Sequence, residues 1–222
     1  MVEWTLVGRD AELERAPGLL QQSDRRSAGI VLSGSAGVGK SRLAEEIATV
    51  AANLGFHVER TAGSLAMRSV PFGPFAHLVP DSNVENRLQL LQLTRLQMKR
   101  RAGGRPLAVL VDDGHRLEDG SLALLELLAT NRDAFLILTM RTTDPTPDAW
   151  RSLTSDSRFE PMALQGLDDD SIQMILEEAL GAASDETKAV IVRLAGGSPL
   201  LLKGLLFHGK QSGTLRQRDG AW

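Results

Sequence analysis

Apolar positions along this chain change rhythm several times, and each change marks an element. Across residues 9–20, Leu13 and Leu19 or Leu20 fall on one side, as a short helix requires. Ile30, Val31 and Leu32 then form a run too short for a helix and bounded by glycine, which fits a strand buried on both faces. From residue 40 to 54, Leu43, Ile47, Val50 and Ala51 recur at helical spacing, and Gly55 ends the pattern. A second strand is expected at residues 56–61. Strand, glycine turn, helix and strand make a βαβ unit, whose crossover is right-handed.

Residues 62–80 contain Pro71, Pro74 and Pro80 and read as loop, with one helical turn around residues 75–78. Helix returns at 83–101 and stops at Gly103-Gly104. A wholly apolar strand is expected at 107–111, a leucine-rich core helix at 121–130 and another apolar strand at 135–140. A proline-containing loop at 144–148 precedes a last short strand at 159–164. The fold class is therefore α/β: a five-stranded, mainly parallel sheet with helices on both faces, followed by a small helical domain. From Gly166 to Gly209 only helical periodicity remains, carried by Ile172, Ile175 and Leu176, by Val190, Ile191 and Leu194, and by 200–207. The polar, glycine-containing tail at 211–222 reads as a linker or the start of a truncated module, and a fragment of a longer polypeptide is the expectation. No internal repeat is present.

Composition narrows the classes. The chain has 222 residues, 42% hydrophobic and 24% charged, which suits an ordinary globular protein. Having no cysteine, it has no disulfide, thiolate metal site or cysteine nucleophile. A net charge of −3 argues against a general polyanion binder. Four histidines and 28 acids leave room for a metal site, but His57, His77, His115 and His208 show no HxxxH-type spacing. No apolar run approaches a membrane span, and the N-terminus lacks the basic start of a secretion signal, so the cytoplasm is expected.

One motif stands out. Gly34-Ser35-Ala36-Gly37-Val38-Gly39-Lys40-Ser41 matches GxxxxGK[ST] in full, between an expected strand and an expected helix. Glycines let the backbone curl until successive N–H groups converge on phosphate oxygens, and the helix start adds its positive end. Lys40 reaches the β- and γ-phosphates, and the Ser41 hydroxyl can ligate Mg²⁺. Arg42 follows as a further binding candidate. A second signal is Asp112-Asp113 at the end of the apolar strand, at the sheet edge where open α/β folds bind ligands. There Asp112 is expected to share the metal with Ser41, and Asp113 to polarise a water. Arg141 ends the strand at 135–140 and can read a γ-phosphate. Lys40, Asp113 and Arg141 are thus the catalytic candidates.

In this order the motifs resemble the nucleotide-binding domain of STAND-class signal-transduction ATPases, within the AAA+ and NACHT-like P-loop families, and most of all the N-terminal ATPase of large LuxR-family transcriptional regulators. Leu6-Val7-Gly8-Arg9 followed by Glu12 is similar to the family's opening motif, which lies near the adenine. The resemblance therefore implies that Val7, Gly8 and Arg9 contact nucleotide. Residues 69–75, Ser-Val-Pro-Phe-Gly-Pro-Phe, resemble a segment found after the second strand. Residues 112–119 are similar to an extension of the acidic strand, Arg141 matches a sensor arginine, and Gly197-Ser198-Pro199-Leu200 matches the lid motif whose proline, Pro199, packs near adenine.

What the resemblance implies is an ATP- and Mg²⁺-binding, slowly hydrolysing switch. Residues 1–165 would be the nucleotide-binding domain and 166–210 a helical lid. Self-association would occur in the full-length protein, and DNA would be bound only through a domain absent from this chain. Ser198-Pro199-Leu200 stands where AAA+ machines usually present a sensing arginine, which argues against a ring motor. Two alternatives are an initiator-like AAA+ DNA-binding ATPase and a small-molecule P-loop kinase. The second is weakened by a lid whose only arginine is Arg193. Plainer roles are expected elsewhere: Trp4 as a packing anchor, Asp168-Asp169-Asp170 as a helix cap, His115 as a structural or sensing residue, and the basic stretch 95–105 as a solvated helix end.

Overall fold

The computed structural model describes residues 4–23, 28–79, 86–217 and 222. Its centre is a five-stranded sheet of β1 (Gly29–Gly34), β2 (His57–Ala62), β3 (Leu107–Asp112), β4 (Phe135–Arg141) and β5 (Phe159–Ala163), in the order β2-β3-β4-β1-β5. Every pairing is parallel. In the central strands β1, β3 and β4, side chains alternate between two cores, which is why these three read as apolar runs; the edge strands β2 and β5 do not. Ile30, Leu32, Ala108, Leu110, Phe135 and Ile137 point to one face. Val31, Val109, Val111, Leu136 and Leu138 point to the other.

The first face is covered by α1 (Asp10–Gln21) and α2 (Lys40–Asn53), whose Leu43, Ala44, Ile47, Ala48 and Ala51 are buried. The second face carries α3 (Arg87–Ala102), α4 (Asp119–Thr130) and α5 (Asp148–Thr154). Two short 3₁₀ segments, Leu65–Met67 and Gly73–Leu78, fold the expected loop onto this face and bury Phe72, Phe75 and Leu78. The start expected for α3 at 83 lies outside the described residues; within them, Asn86 caps the helix by accepting from the Leu88 and Gln89 amides.

One element departs from expectation. α5 follows the 144–148 loop where no helix is foreseen, and it buries Trp150 completely. The Trp150 ring packs so closely on Gly114 that a Cβ there would lie 2.3 Å from it. Tertiary burial of one large ring, not periodicity, holds these seven residues in a helix.

Beyond β5 come α6 (Asp169–Leu180), α7 (Asp185–Ala195) and α8 (Pro199–Gln211), packed around Leu167, Ile172, Leu176, Ile191 and Leu202. Asp168 caps α6 through the Ser171 amide at 2.8 Å, the role expected of that acidic run. The tail after α8 holds more than its polar composition suggests. Leu215 and Trp222 pack against the helical core, and Trp222 exchanges backbone hydrogen bonds with Ala182 and Ser184. Among the described residues, no helix is long and apolar enough to cross a membrane.

Parallel register brings the chemistry to one edge. Gly34 pairs with Arg141, and Ala62 with Asp112. Because β1 lies between β4 and β5 and its following helix α2 crosses to β2, the C-terminal ends of β1, β3 and β4 surround the switch point where open α/β sheets form a crevice.

Candidate functional site

The turn between β1 and α2 is built on positive backbone angles. Gly37 (φ 80°) and Gly39 (φ 101°) adopt conformations that L side chains rarely take, and Gly39 is the N-cap residue of α2. The loop thus curls over the helix start instead of running past it. Lys40 is nearly buried beneath it, its ammonium donating to the carbonyls of Gly34 at 3.1 Å and Ser35 at 2.7 Å. Burial pushes the Lys40 ammonium below the ordinary lysine value, partly offset by the Asp113 and Asp112 carboxylates.

Across the groove, the Ser41 hydroxyl donates to both Asp112 oxygens, at 2.8 and 2.9 Å. Asp112 is fixed from the other side by Thr139, whose hydroxyl donates to it at 2.6 Å and accepts the Asp113 amide at 2.9 Å. Asp113 itself has φ 47°, an uncommon conformation that Asp tolerates better than most residues. Its carboxylate is held by Arg141 through Nε at 3.3 Å and a terminal nitrogen at 3.1 Å, and by Arg116 at 3.4 Å. Arg116 also binds Asp144 at 2.9 Å, as does His115 at 3.0 Å. Arg116 and then His115 hold the Asp144 carboxyl down to about 2. His115 is buried within this network, consistent with the structural role expected of it.

Two cavities meet here. One of about 370 Å³ is lined by the glycine-rich loop, Lys40, Ser41, Asp112, Asp113 and Arg141. The other, about 260 Å³, is lined by Val7, Arg9, Val38, Leu167, Ile175 and neighbours. Trp4, Gly39, Arg42, Pro199 and Lys203 line both, so the pair forms one groove with a polar end and an apolar end. A larger cavity, about 750 Å³, lies between α7 and α8 and is lined mainly by apolar residues such as Val190, Leu194, Leu201 and Leu205. Lys40, Asp112 and Asp113 do not line it, so size alone does not locate the chemistry.

The structure brings the loop 34–41, Arg42, Asp112, Asp113, Arg141 and Pro199 to this groove. Val7 lines its apolar end, and Gly8 packs so tightly on α6 that a Cβ would lie 2.5 Å from the Ser171 hydroxyl. Arg9 lines the apolar end too, but its guanidinium is spent on main-chain carbonyls, Val38 at 3.0 Å and Gln165 at 2.6 Å. It ties the opening segment to the loop and to the β5–α6 connection. Pro199 opens α8 beside the loop, where Ser198 donates its hydroxyl to Gly37 O at 3.2 Å.

Sequence reasoning missed Thr139, Arg116, Asp144 and Lys203. A lone hydroxyl in the apolar strand 135–140 is the only mark Thr139 leaves. Lys203 sits one helical turn beyond Pro199, which places a cation on the groove from α8.

Ser41 and Asp112 are hard oxygen donors in contact, the type that suits Mg²⁺. Among the described residues no cluster of three or more His, Cys, Asp or Glu could hold a metal unaided.

Comparison with known proteins supports the architecture. Residues 5–89 match the family model of the AAA ATPase domain. No curated protein sequence matches. The fold is that of P-loop NTPases. The Aeropyrum pernix ORC1 protein in complex with DNA superposes with TM-score 0.70 at 17% identity, covering 98% of this chain and 64% of that one. The Thermotoga maritima RuvB Holliday junction branch migration motor gives 0.60 at 16%, covering 94% and 63%. The Aeropyrum pernix ORC2 protein, in ADPNP–ADP complexes, gives 0.63 at 13%, covering 96% and 66%. The chain thus spans just under two thirds of these proteins.

Proposed function

We propose that this chain is an ATP- and Mg²⁺-binding switch that hydrolyses ATP slowly, and that it serves a cytoplasmic LuxR-family transcriptional regulator of the STAND class. The observation that carries the reading is the Ser41–Asp112 pair at 2.8 Å beside the Lys40 ammonium, at the rim of a groove with a polar and an apolar end. A triphosphate fits the polar end and a base the apolar end. Lys40 and the loop amides hold the β- and γ-phosphates. Ser41 and Asp112 would hold the Mg²⁺, which would supply charge neutralisation to the phosphates.

Residues 1–165 act as the nucleotide-binding unit and 166–210 as its lid, against which Leu215 and Trp222 of the segment 211–222 pack. In hydrolysis, water attacks the γ-phosphorus, the bond to the β–γ bridging oxygen breaks, ADP leaves, and Asp113 orients the water by accepting its hydrogen bond. Arg141 meets the γ-phosphate at the cost of its pairing with Asp113, so Asp113 becomes available when triphosphate is present. Ser198 and Leu200 touch the loop at Gly37, and their contacts make α8 sensitive to what the loop holds. In the full-length protein the nucleotide state would govern conformation and self-association.

Release of phosphate from ATP tests the catalytic part. The parent should turn over slowly, and Asp113→Asn should bind ATP with parental affinity yet release phosphate at least tenfold more slowly. Equal rates would remove Asp113 from the reaction. One observation favours a second reading, an initiator-like AAA+ DNA-binding ATPase: the likeness in fold to the Aeropyrum pernix ORC1 protein in complex with DNA. Salt-sensitive duplex binding by this chain in the presence of nucleotide would decide for it.

A further inference from the structure

Trp4 stands where the two halves of the groove meet, lining both the apolar and the polar cavity. It is not loosely attached. The next residue, Thr5, donates its amide and hydroxyl to Glu178 on α6 at 3.2 Å each, and the indole packs against the α6–α8 core. Pinned in this way, the ring presents a fixed apolar surface to the groove. Its indole N–H, however, is buried without any partner.

A large aromatic wall at the junction of a base-sized apolar cavity and a phosphate-sized polar one suits one ligand chemistry, a nucleoside attached to phosphates. We infer that Trp4 is a nucleobase-contacting residue: its ring, lining both cavities, packs on the purine. The inference rests on the nucleotide reading above and adds the residue that recognises the base. Trp4 is then more than an anchor for the opening segment, and base binding would tie residues 4–9 to the loop and to α8 at once.

Intrinsic fluorescence gives a direct test. The other tryptophans make suitable references: Trp150 is fully buried and donates to Met140 Sδ at 3.3 Å, and Trp222 lies under the Lys210 ammonium at 4.6 Å from its ring centre. Parent, Trp4→Phe and Trp4→Ala would each be titrated with ATP and with inorganic tripolyphosphate, following emission and heat. ATP should change the parent's emission, and base-free tripolyphosphate should not. Trp4→Phe should lose the emission change while keeping ATP affinity within a few-fold. Trp4→Ala should bind ATP about tenfold more weakly, the scale of one base–aromatic stack, with tripolyphosphate affinity unchanged.

Parental ATP affinity in Trp4→Ala would overturn the inference. Tighter binding there would also overturn it, by showing that the ring blocks the groove. Equal losses for both ligands would overturn it by assigning Trp4 a merely structural role. If the parent bound neither ligand, the nucleotide reading would fail first and this inference with it.

Discussion

Thr139→Val isolates the support beneath the acidic edge. Thr139 is fully buried, and valine has nearly its shape, so packing is preserved while two hydrogen bonds disappear. The first is the hydroxyl's 2.6 Å bond to the Asp112 carboxylate, and the second its acceptance of the Asp113 amide at 2.9 Å. A hydrogen bond to a charged group contributes about 1.5–3 kcal/mol, and a buried amide left unpaired costs about 1–3 kcal/mol. Asp112 keeps its Ser41 partner, so a loss of about 3 kcal/mol is expected. For a chain of this size that lowers Tm by roughly 6–12 °C. Thr139→Ser keeps both bonds and loses one methyl, about 1 kcal/mol. Thermal unfolding of the three proteins checks the reasoning, and a valine variant as stable as the serine variant would refute it.

Two further outcomes follow from the same network and from the loop. Arg116→Gln should let the Asp144 carboxyl rise from about 2 toward its ordinary 3.8, because the first of its two partners is gone. Carbonyl ¹³C titration reads this. In the parent, the folded form binds this proton less readily than the unfolded chain, so the clamp's stabilisation is full above about pH 4 and fades as pH falls toward 2. Gly37→Ala should loosen the first turn of α8, because its Cβ would lie 2.8 Å from the Ser198 hydroxyl and 2.9 Å from Leu200 Cβ. Gly39→Ala meets open space and should add backbone strain alone. Amide exchange in α8 should therefore quicken in the first variant and not in the second.

The three central strands were legible because they are buried on both faces, leaving runs such as 107–111 and 135–140 with no polar interruption but Thr139, whereas the edge strands β2 and β5 carry exposed positions and read less clearly. α5 was not legible: seven residues hold too little periodicity, and Trp150's burial against Gly114 is a long-range fact. The glycine-rich loop and Asp112 were visible because their chemistry demands fixed spacing. Thr139 reaches Asp112 across 27 residues, and Arg116 reaches Asp144 across 28, through strand register and a loop return that spacing does not encode. Arg9, expected to contact nucleotide, does line the groove, and its bonds to the Val38 and Gln165 carbonyls, which spacing does not encode, also tie it to the loop and to the β5–α6 connection. Lys203 and Trp4 join the groove only once α6–α8 fold against the loop.

Calorimetric titration of the parent and of Lys40→Ala with ATP, ADP and GTP, with and without Mg²⁺, tests the central claim most directly. The parent should bind ATP, more tightly with Mg²⁺. Loss of one charged contact of about 3 kcal/mol should weaken Lys40→Ala by about two orders of magnitude. Parental affinity in Lys40→Ala, or heat of binding that ignores both the triphosphate and the metal, would contradict the account.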